Sequence, residues 1–135
     1  MPNMPDWTIP HDLPELIDAE EGGIWEDTRW EPILLSVMGG TTYGGRDIPL
    51  AWQIEFEPDG PSFEAPNAKI AALGLDPDGY GWAHLIQSMF AKYHPEFSGE
   101  LQFGDTDVSA CVVWVESETT CRLLIQLVWS LIHGS

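Results

Sequence analysis

The sequence predicts an α+β fold: an antiparallel sheet of about five strands drawn from residues 24–57 and 100–116, with two main helices, 79–94 and 117–133, packed on one face. Three observations carry this reading. Leu50, Trp52, Ile54 and Phe56 alternate with Ala51, Gln53, Glu55 and Glu57, the period of two expected of a strand with one face on a core. Trp82, Leu85, Ile86, Met89, Phe90 and Tyr93 follow the i, i+3, i+4, i+7 series of a helix with one buried stripe. Near the end of the chain, Cys121, Leu124, Ile125, Val128, Trp129 and Ile132 form one helical stripe and Leu123, Leu127 and Leu131 a second, leaving Arg122, Gln126, Ser130 and His133 as a narrow polar strip. Such a helix is sandwiched within the fold or pressed against another chain, and burial within the domain is the simpler expectation.

A chain of 135 residues reads as one domain, 1–135, able to bury about two-thirds of its unfolded surface. Residues 1–22 hold four prolines and six acids and read as an acidic, Pro-rich arm lying over that domain. Met1 to Asp6 show neither a basic n-region nor an apolar h-region, so no Sec signal is expected. Ile24 to Asp27 and Ile33 to Met38 read as strands, the second so apolar that both its faces should be covered. Gly39 to Asp47 has Gly40 and Gly45 at the spacing of a phosphate loop. However, Arg46-Asp47 stands where Lys-Ser/Thr is needed, and Ile48-Pro49 leads into a strand instead of a helix. A flexible hairpin loop is expected there.

After the alternating strand, Pro58-Asp59-Gly60-Pro61 turns the chain, and 61–66 is too proline-rich for regular structure. Asn67 to Leu75 can form a short helix with Ile70 and Leu73 inward and Gly74 near its end. Asp76-Pro77-Asp78-Gly79 is a turn whose Asp78 can cap the next helix, and Pro95 ends that helix at about His94. Glu100 to Phe103 reads as a short strand and Gly104 to Asp107 as a tight turn. Val108 to Val115 then reads as a central strand, because both alternating sets are apolar. Ser117 caps the last helix and Glu118 suits its dipole. Trp82, Trp114 and Trp129 are expected to meet where the 79–94 helix, the central strand and the last helix join.

Charge is the strongest compositional fact, with five Lys and Arg against twenty-two Asp and Glu and a net charge of −17. The imbalance is concentrated early: residues 1–65 carry fourteen acids and two Arg, and 66–135 carry eight acids and three bases. Such a surface repels nucleic acid and steers basic proteins toward itself. The longest apolar run, Leu123 to Ile132, is about half a membrane span, so no membrane association is expected. Cys111 and Cys121 lack CxxC spacing and sit at apolar positions, as buried reduced thiols of a cytoplasmic protein would.

No catalytic constellation emerges. The four histidines, His11, His84, His94 and His133, have no neighbours at metal-ligand spacing. Neither Asp76-Pro77-Asp78-Gly79 nor Asp105-Thr106-Asp107 continues into a calcium loop. Glu55 and Glu57 resemble a glycosidase pair only as any chain this acidic must, and both cysteines occupy poor positions for a nucleophile. No metal, no cofactor and no enzymatic activity are expected.

Gly79, Tyr80 and Trp82 at the start of a helix, with Asp105-Thr106-Asp107 before the apolar run Val108 to Val115, resemble the Imm51 family of immunity proteins from bacterial polymorphic-toxin systems. That family carries a Gly-Tyr-x-Trp motif opening a helix and an acidic turn leading into an apolar strand, and the likeness covers roughly the second half of the chain. Gly81 stands where the family has an acidic residue, and Asp107-Val108-Ser109 replaces a Glu-Ala-Gly-like step. The resemblance implies a cytoplasmic protein, monomer or homodimer, that binds and neutralises a cognate toxin. With the charge, it suggests a toxin with a basic cleft, such as a nuclease. Gly79, Tyr80, Trp82, Asp105 and Asp107 are then structural residues. The expected contacts are Gln53, Glu55, Glu57 and Asp59 on the acidic sheet face, with Tyr43 as an aromatic anchor on the glycine-rich loop. Two other classes stay open: a DNA mimic, which needs carboxylates spaced like phosphates along an elongated surface, and a small enzyme, which needs a deep pocket holding carboxylates of raised pKa.

Overall fold

Alternation along residues 46–56 organises the sheet. In the structure, a computed structural model describing Trp7 and residues 24–43, 45–104 and 106–133, with backbone alone at 40–43 and 46–49, these residues form strand β3 (Arg46–Phe56). It pairs antiparallel with β2 (Leu34–Tyr43) on one side and β4 (Cys111–Val115) on the other. β1 (Ile24–Asp27) pairs antiparallel with β2, giving the order β1-β2-β3-β4. Apart from Trp7, the expected N-terminal arm lies outside the described residues, as does Asp105.

Register then sorts the side chains. Leu35 and Val37 of β2 stand beside Ile54 and Trp52, which stand beside Val113 and Val115 of β4. All six are buried in one cluster with Trp82, Ile86 and Phe90 from helix α2 (Gly79–Tyr93) and Leu124, Ile125 and Val128 from helix α3 (Glu118–His133). Both long helices therefore cover the same sheet face, and a third helix, α1 (Glu64–Ala72), joins them through Ile70. The fold is α+β, with four antiparallel strands and three helices among the described residues.

The glycine-rich stretch is a correction. Instead of a flexible loop over 39–47, β2 runs on to Tyr43 and β3 begins at Arg46, leaving a two-residue connection with Gly45 at φ 78°. A two-residue hairpin turn needs such a positive φ, which glycine adopts without strain. The expected irregular stretch 61–66 is likewise ordered, as a 3-10 turn over Pro61–Phe63 and the first residues of α1.

α1 ends in a Schellman turn: Leu75 N–H donates to Ile70 O (3.2 Å), Gly74 N–H donates to Ala71 O (3.0 Å), and Gly74 takes φ 84°. This turn brings Leu75 against the core and leaves Leu73, expected inward, 64% exposed. Tyr93, the last residue of α2, is also outside, at 56%. Its hydroxyl tolerates water, and Phe90 is the last fully buried position of the stripe.

The second sheet edge differs most from expectation. Glu100 to Phe103 contributes a single bridge, Gln102 with Trp114, after a 3-10 turn over Ser98–Glu100. β4 begins only at Cys111, with Val108 exposed, because 106–110 is committed to a turn. β4 is thus the last strand of the sheet, its outer edge meeting Gln102 and the Thr106 hydroxyl, which bonds both backbone groups of Val112, and all five of its residues are buried. Trp114 points away from Trp82, onto Ala51 and Met38 on the other face of the sheet. Trp129 is half-buried with its ring 4.1 Å from His133, so the three tryptophans do not share one junction.

α3 starts as expected: Ser117 Oγ accepts from Thr120 N–H (3.2 Å), and the Thr120 hydroxyl donates to Glu100 (3.0 Å). Its main stripe is buried except for the half-buried Trp129, and Leu123, Leu127 and Leu131 are half-buried against the same core, so the domain absorbs most of the wide apolar arc. Trp7 lies at this end, its indole N–H donating to Glu118 (2.7 Å) and its ring 5.3 Å from that of Trp30. Cys111 and Cys121 are buried free thiols. Burial pushes Cys111 up to about 12, against a smaller opposing hydrogen bond from Thr106, and raises Cys121 further.

Candidate functional site

The expected acidic sheet face is not an open acidic plane. On the face opposite the helices, Gln53 lies in register between Ser36 and Trp114 and is half-buried, while Ser36, Ala51, Val112 and Trp114 are buried. Glu55 is half-buried opposite Leu34, and Glu57 follows the end of β3 at Phe56. The period of two gave the side-chain direction correctly. It could not show that Trp114 would lie across this face.

Three of the five candidate contacts nevertheless converge. Glu55, Glu57 and Asp59 line one cavity of about 370 Å³ at the end of β3, together with Pro32, Leu34, Phe56, Pro61, Ser62 and Phe63. Gln53 is not among them. Tyr43 pairs with Arg46 at the opposite end of the hairpin, nine residues from Glu55 along β3, roughly 30 Å at the rise of a strand. Its side chain lies outside the described residues, and its backbone position separates it from the cleft.

Local chemistry builds this cleft. Phe56, inward at the end of β3, stacks on Phe63 with ring centroids 5.8 Å apart, and the Trp82 ring stands nearly perpendicular to both, with centroids at 5.1 and 5.7 Å. Those rings form a buried floor, each aromatic pair adding about 0.5–1.5 kcal/mol beyond area burial. Asn67 at the start of α1 ties the floor to the rim. Its amide donates to Pro58 O (2.9 Å) and its side-chain oxygen accepts from the Trp82 indole N–H (2.8 Å). The turn carrying Glu57 and Asp59 is thereby held against the aromatic core, and Gly60 at φ 87° lets the chain reverse into Pro61. Neither Glu57 nor Asp59 makes a side-chain hydrogen bond or ion pair among the described residues, so both carboxylates face the cleft and solvent. The nearest base in sequence to β1, Arg29, pairs with Asp27 (2.9 Å) and lies over the Trp30 ring.

The motif residues behave as structural parts. Gly79 and Gly81 have no room for a side chain: a Cβ on Gly79 would collide with the Asp107 and Ala110 carbonyl oxygens, and one on Gly81 with that of Asp76. Asp78 caps α2 by accepting from Gly81 N–H (3.0 Å). Asp107 accepts from Ser109 N–H, Ser109 Oγ and Ala110 N–H, each at 2.9 Å. The Ser109 hydroxyl, with the two backbone donors, holds the Asp107 carboxyl below its ordinary value. Trp82 is fully buried, whereas Tyr80 and Asp107 are exposed.

Asn67, Pro58 and Phe63 were missed in sequence, since each acts through a partner distant along the chain. Among the described residues, no group of three or more His, Cys, Asp or Glu is arranged to hold a metal ion, and no helix is long and apolar enough to cross a membrane. Comparison with known proteins finds no matching family model, no matching curated protein and no matching solved structure.

Proposed function

We propose that this protein is a cytoplasmic immunity protein, related to the Imm51 family, that binds a cognate bacterial toxin with a basic surface and blocks it. The observation that carries the reading is the convergence of Glu55, Glu57 and Asp59 on one cleft, on a chain of net charge −17. Two of these carboxylates are exposed, so they can steer a cationic partner at long range and raise its association rate. Glu55, half-buried against Leu34, is placed to lose its remaining water on contact. Truncating one partner of such a desolvated pair typically costs about 2–5 kcal/mol of binding. The grouping of these three carboxylates at one cleft favours a local protein contact over a DNA mimic.

The test is binding of the purified product of the gene immediately upstream, the position at which a toxin partner is expected. The parent protein should bind it in a salt-dependent manner, and Glu57→Lys/Asp59→Lys should weaken binding at least about tenfold while melting at the parent temperature. Unchanged affinity of the doubly reversed protein, at a salt concentration where the Debye length is about 10 Å, would remove the cleft from the interface. An upstream product that does not bind the parent protein would remove the toxin reading itself.

A further inference from the structure

The acidic cleft does not end at Leu34. Pro32, Leu34 and Ser62 also line a second cavity, of about 650 Å³, whose other walls are Thr28, Glu31 and Ile33. The two hollows share a wall and form one groove, each part within the ~300–1,000 Å³ of ordinary ligand pockets. Along it the chemistry alternates. Glu31 lies on the far part, the half-buried Pro32 and Leu34 form the middle, and Glu55, Glu57 and Asp59 surround the near part.

Resting on the toxin-binding reading, we infer that this groove takes an extended basic segment of the partner, in which Lys or Arg side chains flank an aliphatic one. Charge selects the occupant. Residues 1–22 contain six acids and no Lys or Arg, and a second copy of the chain brings a net charge of −17, so neither complements four carboxylates. Apolar walls between the acids select against a purely polar cation: the aliphatic residue meets Leu34 and Pro32, and the methylene stems of Lys or Arg can lie on Pro61 while their heads reach the rim.

The probe is the pentapeptide acetyl-Lys-Leu-Lys-Leu-Lys-amide, titrated into the full chain and followed by backbone amide shifts. Saturable shifts are expected at Ile33, Leu34 and Ser62, with no binding of the Glu-for-Lys peptide and at least about fivefold weaker binding of the Gly-for-Leu peptide. Ser62→Trp, which plugs the shared wall from an exposed position, should weaken the Lys-Leu peptide at least about tenfold with an unchanged melting temperature. Glu31→Lys should do so by at least about threefold. Shifts that map to the Gln53 and Trp114 face, or equal affinity for the plugged protein, overturn the inference. The two readings fail separately. If the upstream product binds Ser62→Trp as tightly as the parent, the groove is not the contact and the toxin reading survives. If the peptide behaves as expected and no upstream product binds, the groove stands and the toxin reading falls.

Discussion

The acidic turns of this protein have two opposite fates. At 76–79 and 106–110, carboxylates are consumed by the chain itself: Asp78 caps α2 through Gly81 N–H, and Asp107 gathers three donors from Ser109 and Ala110. At 57–60 the carboxylates of Glu57 and Asp59 have no such partners among the described residues, and the turn is held by Asn67 on the Pro58 carbonyl instead. An acid that closes a turn on its own following N–H groups has one oxygen already engaged and its direction fixed by the chain, so it has less to offer a partner. An acid on a turn held by something else keeps both carboxylate oxygens for another molecule.

Trp82 serves both regions, its backbone N–H donating to the Asp78 carbonyl (3.0 Å) and its ring packing against the Phe56–Phe63 floor. Trp82→Ala should cost about 3–5 kcal/mol, measured by denaturant unfolding, and lose the cleft together with the fold. A soluble variant with the parent's stability and impaired partner binding alone would move Trp82 out of the core and into the interface. Gly79→Ala should be smaller but still clear, about 1–3 kcal/mol, since backbone carbonyls cannot step aside as a flexible side chain can.

Asp107→Asn sharpens the distinction through pH. Because the folded-state pKa of Asp107 lies below its unfolded value, its contribution is fully present above the unfolded pKa, about 4. The contribution is lost as pH falls through the folded value. The variant should therefore melt below the parent at pH 7, and the difference should close as the solution is taken well below pH 4. Glu57→Lys/Asp59→Lys is the smallest change in stability, within about 0.5 kcal/mol. Its effect belongs to binding alone.

Much of the fold was legible because it is local. Asp78 before Trp82, Ile86 and Phe90, Ser117 before Cys121 and Leu124, and the alternation of Trp52, Ile54 and Phe56 each state a cap or a period within one element. Of the site, the individual acids Glu55, Glu57 and Asp59 were legible as exposed charge on the more negative half. Their association with Pro32, Leu34 and Phe63 was not, since that depends on how the end of β3 meets the start of β2.

By itself, then, the sequence determined the α+β class, the two long helices and their caps, the inward set of β3 and the net charge. Each follows from short-range sterics, periodicity or composition. Tertiary structure alone decided that Trp114 lies on the outer face, that Leu73 and Tyr93 face water, that β4 is the last strand of the sheet, and that three carboxylates border one cleft while Gln53 and Tyr43 stand apart. Those outcomes turn on which surfaces of separate elements meet. The physical reason is that a period specifies the direction of a side chain, whereas its neighbour is supplied by packing between elements distant in the chain.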